Sequence, residues 1–259
     1  MKAMEICRIT GQREISQGIF DLRLEAPGIA AASRPGQFVN VYTNDPSRLL
    51  PRPVSICGIG GGELRLVYRV SGARTGTEQF SRLQEGDCLK LMGPLGNGFP
   101  MEEAAGKRVF LVGGGIGVPP MLETARQLAG SGTIPEMILG YRSDCFLADE
   151  FAGYGPVHIA TEDGSNGVRG TVLDVILQKQ LKPELIFACG PRPMLRALKS
   201  YAGAREIPCW VSMEERMACG VGACLACVCK TKEKDAHTQV KNRRVCKDGP
   251  VFAAEEIEF

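Results

Sequence analysis

Cys219, Cys224, Cys227 and Cys246 are spaced Cys-x4-Cys-x2-Cys-x18-Cys toward the end of the 259-residue chain. Three thiolates in one tight loop, closed by a distant fourth, suit a [2Fe–2S] cluster, and the x4-then-x2 start is the spacing of plant-type two-iron sites. The small residues Gly220, Gly222 and Ala223 between the ligands let backbone N–H groups approach sulfur. Structural zinc is the competing chemistry, but zinc sites usually present two short paired knuckles, not a three-cysteine loop. Cys229 lies two residues past Cys227. Four ligands already complete a two-iron site, so Cys229 is expected to be a spectator.

Two weaker patterns suit phosphate. Gly113-Gly114-Gly115-Ile116-Gly117-Val118-Pro119-Pro120 follows a short apolar run. It fails the strict Gly-x-Gly-x-x-Gly fingerprint, because Val118 holds the last position. A glycine turn entering a helix still offers bare N–H groups to a pyrophosphate, and prolines fit a first helical turn. The alternative is a tight packing turn with no ligand. Earlier in the chain, Arg52-Pro53-Val54-Ser55 pairs an arginine able to grip a phosphate with an extended segment able to face a ring system. An Arg-Pro pair in a strand carries little weight alone. Gly76-Thr77 can reach the same ligand, and Gly93-Pro94-Leu95-Gly96-Asn97-Gly98-Phe99 is either a linker or a loop covering a cofactor.

These residues need a scaffold, and the pattern around them changes once. The first hundred residues read as short strands, at 18–25, 36–43 and 64–70, punctuated by Pro-Gly and Gly-Gly pairs and without helical periodicity. That is the pattern of a small antiparallel barrel. After Lys107, strands at 108–112, 136–140, 157–161 and 185–188 alternate with helices beginning near 121 and spanning about 171–178 and 192–201, which implies a doubly wound parallel sheet. Cys209–Met213 fits its last strand, leading into the cysteine loop. The expected class is multidomain α+β, with a barrel over 1–100, an α/β domain over 101–208 and a cluster segment over 209–259.

Whole-chain numbers fit a cytoplasmic redox protein. A net charge of +2 with 23% charged residues implies no general attraction to nucleic acid. Eleven cysteines, an odd and scattered set, argue for a reducing compartment over a disulfide framework. The N-terminus lacks the apolar core of a signal peptide, and the longest apolar run is too broken by glycine and proline to span a membrane. Cys7, Cys57, Cys88, Cys145 and Cys209 read as small hydrophobes. His158 and His237 have no metal-like neighbours in the sequence, and the basic stretch from Lys230 to Lys247 reads as a solvated hairpin, with a docking patch beside the cluster as the alternative.

Arg52–Ser55, Gly93–Phe99, the Gly113–Pro120 turn, Cys189-Gly190-Pro191 and the cysteine loop occur in this order in ferredoxin-reductase-like flavoproteins. The run Ser212-Met213-Glu214-Glu215-Arg216-Met217-Ala218-Cys219-Gly220 and the ending Val245–Phe252 make the chain most similar to electron-transfer subunits of class 1B dihydroorotate dehydrogenase. The resemblance implies FAD on Arg52, Pro53, Val54, Ser55, Val67, Tyr68, Arg69, Gly76 and Thr77. It implies NAD on Gly113, Gly114, Gly115, Gly117, Cys189 and Gly190, with Cys189 near the nicotinamide, and a [2Fe–2S] cluster on Cys219, Cys224, Cys227 and Cys246. It also implies a separate FMN-containing catalytic subunit, in a heterotetramer of two of each chain, serving pyrimidine biosynthesis. Electrons would run from that FMN through the cluster, singly, to FAD and then to NAD⁺. Two other functions compete. NADPH:ferredoxin-type oxidoreductases and sulfide dehydrogenases share the architecture but carry aspartate at the first ligand position, where this chain has Cys219. A non-catalytic electron carrier would have no use for the glycine turn and Cys189-Gly190-Pro191. NAD against NADP stays open, since Arg142 and Ser143 suit a 2′-phosphate and Asp144 repels one.

Overall fold

The computed structural model describes residues 2–235 and 239–259, so His237 lies outside the described residues. Six strands form the N-terminal part: β1 (Ala3–Ser16), β2 (Ile19–Glu25), β3 (Phe38–Tyr42), β4 (Arg52–Gly60), β5 (Glu63–Arg69) and β6 (Cys88–Leu95). They close into an antiparallel barrel in the order β1-β2-β5-β4-β3-β6. Closure leaves no unpaired edge. Leu22, Leu24, Val39, Val41, Leu64 and Leu66 fill the interior, as the two-residue alternation of a half-buried strand requires. The barrel also carries two short helices absent from the sequence reading, α1 (Pro27–Ala32) and α2 (Gly76–Phe80). Both are too short to show a helical period. The hydroxyl of Thr75 accepts the Glu78 N–H and starts α2.

The second part alternates as expected: β7 (Val109–Gly114), α3 (Pro119–Gly130), β8 (Glu136–Tyr141), α4 (Ala148–Phe151), β9 (Val157–Thr161), β10 (Val168–Arg169), α5 (Val172–Gln178), β11 (Leu185–Cys189), α6 (Arg192–Gly203) and β12 (Cys209–Ser212). Every residue of β7 and β11 is buried, the signature of a parallel strand covered on both faces. Phe110 and Val112 pack on one side of the sheet, Val109 and Leu111 on the other. The expected last strand is not the last. After β12 the chain forms a hairpin, β13 (Val228–Lys230) with β14 (Asn242–Arg244), and returns as β15 (Val251–Ala253), which pairs antiparallel with β12. The sheet order is β10-β9-β8-β7-β11-β12-β15, so the cysteine segment is held by the sheet at both ends.

Polar clamps tie the two parts together. Glu123 on α3 is buried and accepts the Ile59 N–H of β4 at 3.1 Å, while Arg126 donates to the Ile59 carbonyl at 3.0 Å. Arg65 on β5 bridges Asp21 of the barrel and Glu150 of α4. Among the described residues, no helix is long and apolar enough to cross a membrane.

Candidate functional site

A cavity of about 280 Å³ lies where the barrel, the α/β sheet and the cysteine segment meet. Eight of the nine residues expected on flavin line it: Arg52, Pro53, Val54 and Ser55 at the start of β4, Val67, Tyr68 and Arg69 at the end of β5, and Thr77 on α2. The ninth, Gly76, stands behind Arg52. A methyl group there would sit 2.9 Å from Arg52 Nε, so the missing side chain makes room for the guanidinium. Arg52 is steadied by donating to the Leu50 carbonyl at 2.8 Å. Thr77 Oγ1 accepts the Ser71 N–H at 3.1 Å. The Tyr68 ring is committed to the barrel: it stacks on Phe20, meets Phe80 edge-on, and donates its hydroxyl to Gln12 Oε1 at 3.0 Å. Burial pushes the Tyr68 phenol above its ordinary value.

The third wall is Ser212, Met213, Glu214 and Glu215, with Ile116 and Pro250. Sequence reasoning used Ser212–Gly220 only as a mark of resemblance and gave these residues no place in the site. The available signal was their position, just past the C-terminal end of a strand in an open parallel sheet, where ligands bind. Glu215 pairs with Arg192 of α6. Glu214 is open to the cavity yet ringed by protein, and this desolvation raises its carboxyl pKa, with Arg69 pulling the other way.

The glycine turn is closely packed on its inner side. A side chain on Gly113 would meet Val118, on Gly114 it would meet Met194 and Pro191, and on Gly117 it would strike the backbone of Cys189 and Gly190. Gly115, at φ +54°, is the roomy one: a methyl group there would come no nearer than 3.7 Å, to Arg69 Nη2. The turn therefore lies against Cys189-Gly190-Pro191 at the C-terminal ends of β7 and β11. The order of connection reverses between these two strands, so the crevice above them is the topological switch point of the sheet. Cys189 is buried at the end of β11, in register with Gly113 and Ser212. Burial, then the nearby Glu214, raises its thiol pKa against a Ser212 hydrogen bond.

The cysteine loop surrounds sulfur with backbone donors. Cys219 Sγ accepts N–H groups from Val221 (3.4 Å), Ala223 (3.3 Å) and Cys224 (3.4 Å), and Cys227 Sγ accepts the Cys246 N–H at 3.4 Å. Burial opposes ionisation of Cys219, but these N–H groups and the Cys224 side chain outweigh it and bring the thiol down to about 6. Among the described residues, no three cysteine, histidine or acidic side chains form a preformed metal polyhedron. The fit to a thiolate-bound group rests on the four-sulfur donor set and on N–H groups that stabilise anionic sulfur. Cys229 is buried and donates to the Arg243 carbonyl at 3.6 Å, its thiol raised to about 11 by burial.

The remaining candidates lie elsewhere. His158 contacts Glu136 at 3.3 Å on the sheet. Cys7, Cys57 and Cys209 are buried as small hydrophobes, but Cys88 is exposed and Cys145 half-buried. Asp144 accepts the Ser16 hydroxyl at 3.0 Å, which ties the segment after β8 to the barrel.

The iron-sulfur cluster binding domain of dihydroorotate dehydrogenase B matches residues 214–258. The chain is 43% identical over 265 residues to the dihydroorotate dehydrogenase B (NAD⁺) electron transfer subunit of Bacillus caldolyticus, covering 99% of each. It is 44% identical over 257 residues to the corresponding subunit of Listeria monocytogenes serotype 4a, covering 97% of this chain and 98% of that one. Among solved structures, an NADH-dependent reduced ferredoxin-NADP oxidoreductase superposes with a TM-score of 0.83 at 26% identity, over 98% of this chain and 90% of that one. A ferredoxin NADP⁺ reductase from Neisseria gonorrhoeae, at 16% identity and a TM-score of 0.64 over 79% of this chain and 91% of that one, shares the fold.

Proposed function

Because the chain belongs to the family of dihydroorotate dehydrogenase B electron transfer subunits, we propose that it passes electrons from an FMN-bearing, dihydroorotate-oxidising partner chain to NAD⁺. The observation that carries this reading is the three-walled cavity, which joins the Arg52–Ser55 segment, Ile116 of the turn after β7 and the Ser212–Glu215 stretch that leads to the cysteine loop. There Arg52 would hold an FAD phosphate, while Pro53, Val54, Ser55 and Val67–Arg69 would face its ring system. Gly115 and the crevice beside Cys189-Gly190 admit the nicotinamide nucleotide, and Cys189, buried and un-ionised, packs without reacting. Cys219, Cys224, Cys227 and Cys246 hold the [2Fe–2S] cluster, with backbone N–H groups on the Cys219 sulfur. The flavin supplies hydride exchange with nicotinamide, and the cluster supplies single-electron transfer.

Residues 1–100, 101–208 and 209–259 carry these three tasks in turn. The exposed side chains of Val221, Leu225 and Cys224 form the rim against which the partner docks, in an assembly of two of each chain. Free thiols throughout suit the cytoplasm.

The test is a division of labour. The isolated chain should oxidise NADH with an artificial acceptor and leave dihydroorotate untouched. Adding the catalytic subunit should create NAD⁺-dependent dihydroorotate oxidation. A Cys219→Ala variant that keeps its FAD should lose the coupled reaction and retain NADH–dye activity. Full-rate coupling by that variant would overturn the proposed electron path, and an isolated chain unable to oxidise NADH would favour a non-catalytic carrier.

A further inference from the structure

Asn40 is fully buried, and among the described residues neither Nδ2 nor Oδ1 has a hydrogen-bond partner. A buried amide left unpaired on both sides is costly, and native proteins seldom tolerate it without a ligand or a function. Its position identifies what it faces. On β3, Val39 and Val41 belong to the barrel interior, whereas Phe38 packs with Leu95, Cys227 and Cys246 outside the barrel. The two-residue period puts Asn40 on the Phe38 side of the strand. A methyl group on Gly220, the residue after Cys219, would overlap Nδ2 of Asn40 and sit 3.3 Å from Leu95 Cδ1. Phe38 lines the flavin cavity and Asn40 does not. The unpartnered amide is therefore aimed at the cysteine loop and away from the cavity.

We propose that Nδ2 of Asn40 donates a hydrogen bond to a sulfur at the Cys219 end of the [2Fe–2S] cluster and thereby tunes its reduction. This rests on the cluster reading above. Cluster sulfur offers only lone pairs, so the donor end of the amide faces it. An added electron increases the negative charge on sulfur, and a donor stabilises that reduced form more than the oxidised one. The barrel thus contributes to the cluster through a strand that carries none of its ligands. Asn40 acts as a positioning and tuning residue.

The experiment compares wild type with Asn40→Leu, which keeps the branched four-atom shape without the polar ends and suits the surrounding Phe38, Met92 and Leu95. Both proteins are purified anaerobically, assayed for iron and sulfide, and titrated by EPR-monitored redox potentiometry. With iron content retained, the variant should be harder to reduce by roughly tenfold in equilibrium constant, about 59 mV for one electron. An unchanged midpoint at full iron content would show that Asn40 is structural filler and would overturn the proposal. A measurement on wild type alone guards against a variant that loses its cluster. With ¹⁵N placed in asparagine side-chain amides, the reduced cluster should show a weak ¹⁵N coupling in pulsed EPR, and its absence also overturns the proposal. Wild-type protein without iron would remove this proposal together with the cluster reading, whereas an unchanged midpoint removes this one alone.

Discussion

Replacing Gly76 with alanine tests the flavin wall through a residue that does not itself line it. The new methyl would lie 2.9 Å from Arg52 Nε, 3.1 Å from Arg52 Cζ and 3.0 Å from Thr43 Cγ2. Gly76 opens α2 in ordinary right-handed backbone, so alanine itself is tolerated there and the guanidinium must yield. Arg52 is long and flexible, and it is steadied by the Leu50 carbonyl. It moves at little cost to folding, but away from where a phosphate would be gripped. A charge-assisted hydrogen bond contributes about 1.5–3 kcal/mol net, so Arg52→Ala should weaken FAD binding roughly 10- to 100-fold. Gly76→Ala keeps the charge and displaces it, and should lose a smaller part of this, about 3- to 10-fold. Both constants are read from flavin release on dilution, with circular dichroism checking the fold. Unchanged FAD affinity in Arg52→Ala would refute the phosphate assignment. A larger loss in Gly76→Ala than in Arg52→Ala would show that room in the cavity, not the guanidinium, is what matters.

Cys224→Ser should lose iron and sulfide, whereas Cys229→Ser, whose thiol faces the Arg243 carbonyl, should keep both; equal losses would overturn the ligand set. Glu123→Ala strips acceptors from Ile59, Arg126 and Gln127 and leaves a part-buried N–H unpaired. It should cost about 2–4 kcal/mol in denaturant unfolding, and a change below about 0.5 kcal/mol would mean that the clamp does not hold the two parts together. Glu214 has a folded pKa raised above the ordinary 4.5 by desolvation, so the folded state binds the extra proton and flavin-free protein should lose stability as pH rises from 4.5 through the folded value. Glu214→Gln should flatten that slope, and an identical pH profile in thermal melts would show that Glu214 is not desolvated.

Local chemistry and periodicity were readable from the chain alone. The Cys-x4-Cys-x2-Cys spacing, the strands at 157–161 and 185–188 and the turn into α3 all depend on neighbours a few residues apart. Spacing and alternation report such relations directly. The 14-residue β1 was not recognised, because Met4, Ile6 and Arg8 face outward on a strand whose partners, β2 and β6, lie far apart along the chain. The return of β15 to β12 and the wall built from Ser212–Glu215 likewise depend on contacts between distant segments. Tertiary structure alone shows what the glycines make room for. Gly113, Gly114 and Gly117 are small because Val118, Met194 and Cys189 press on them, and Gly76 is small because Arg52 occupies its space. Asn40 shows the same division most sharply. In sequence it is a polar residue in an apolar strand, and only barrel closure beneath the cysteine loop removes it from water without a partner. Ligand type and spacing are properties of a short segment, whereas burial and the partner it demands are properties of the packed whole.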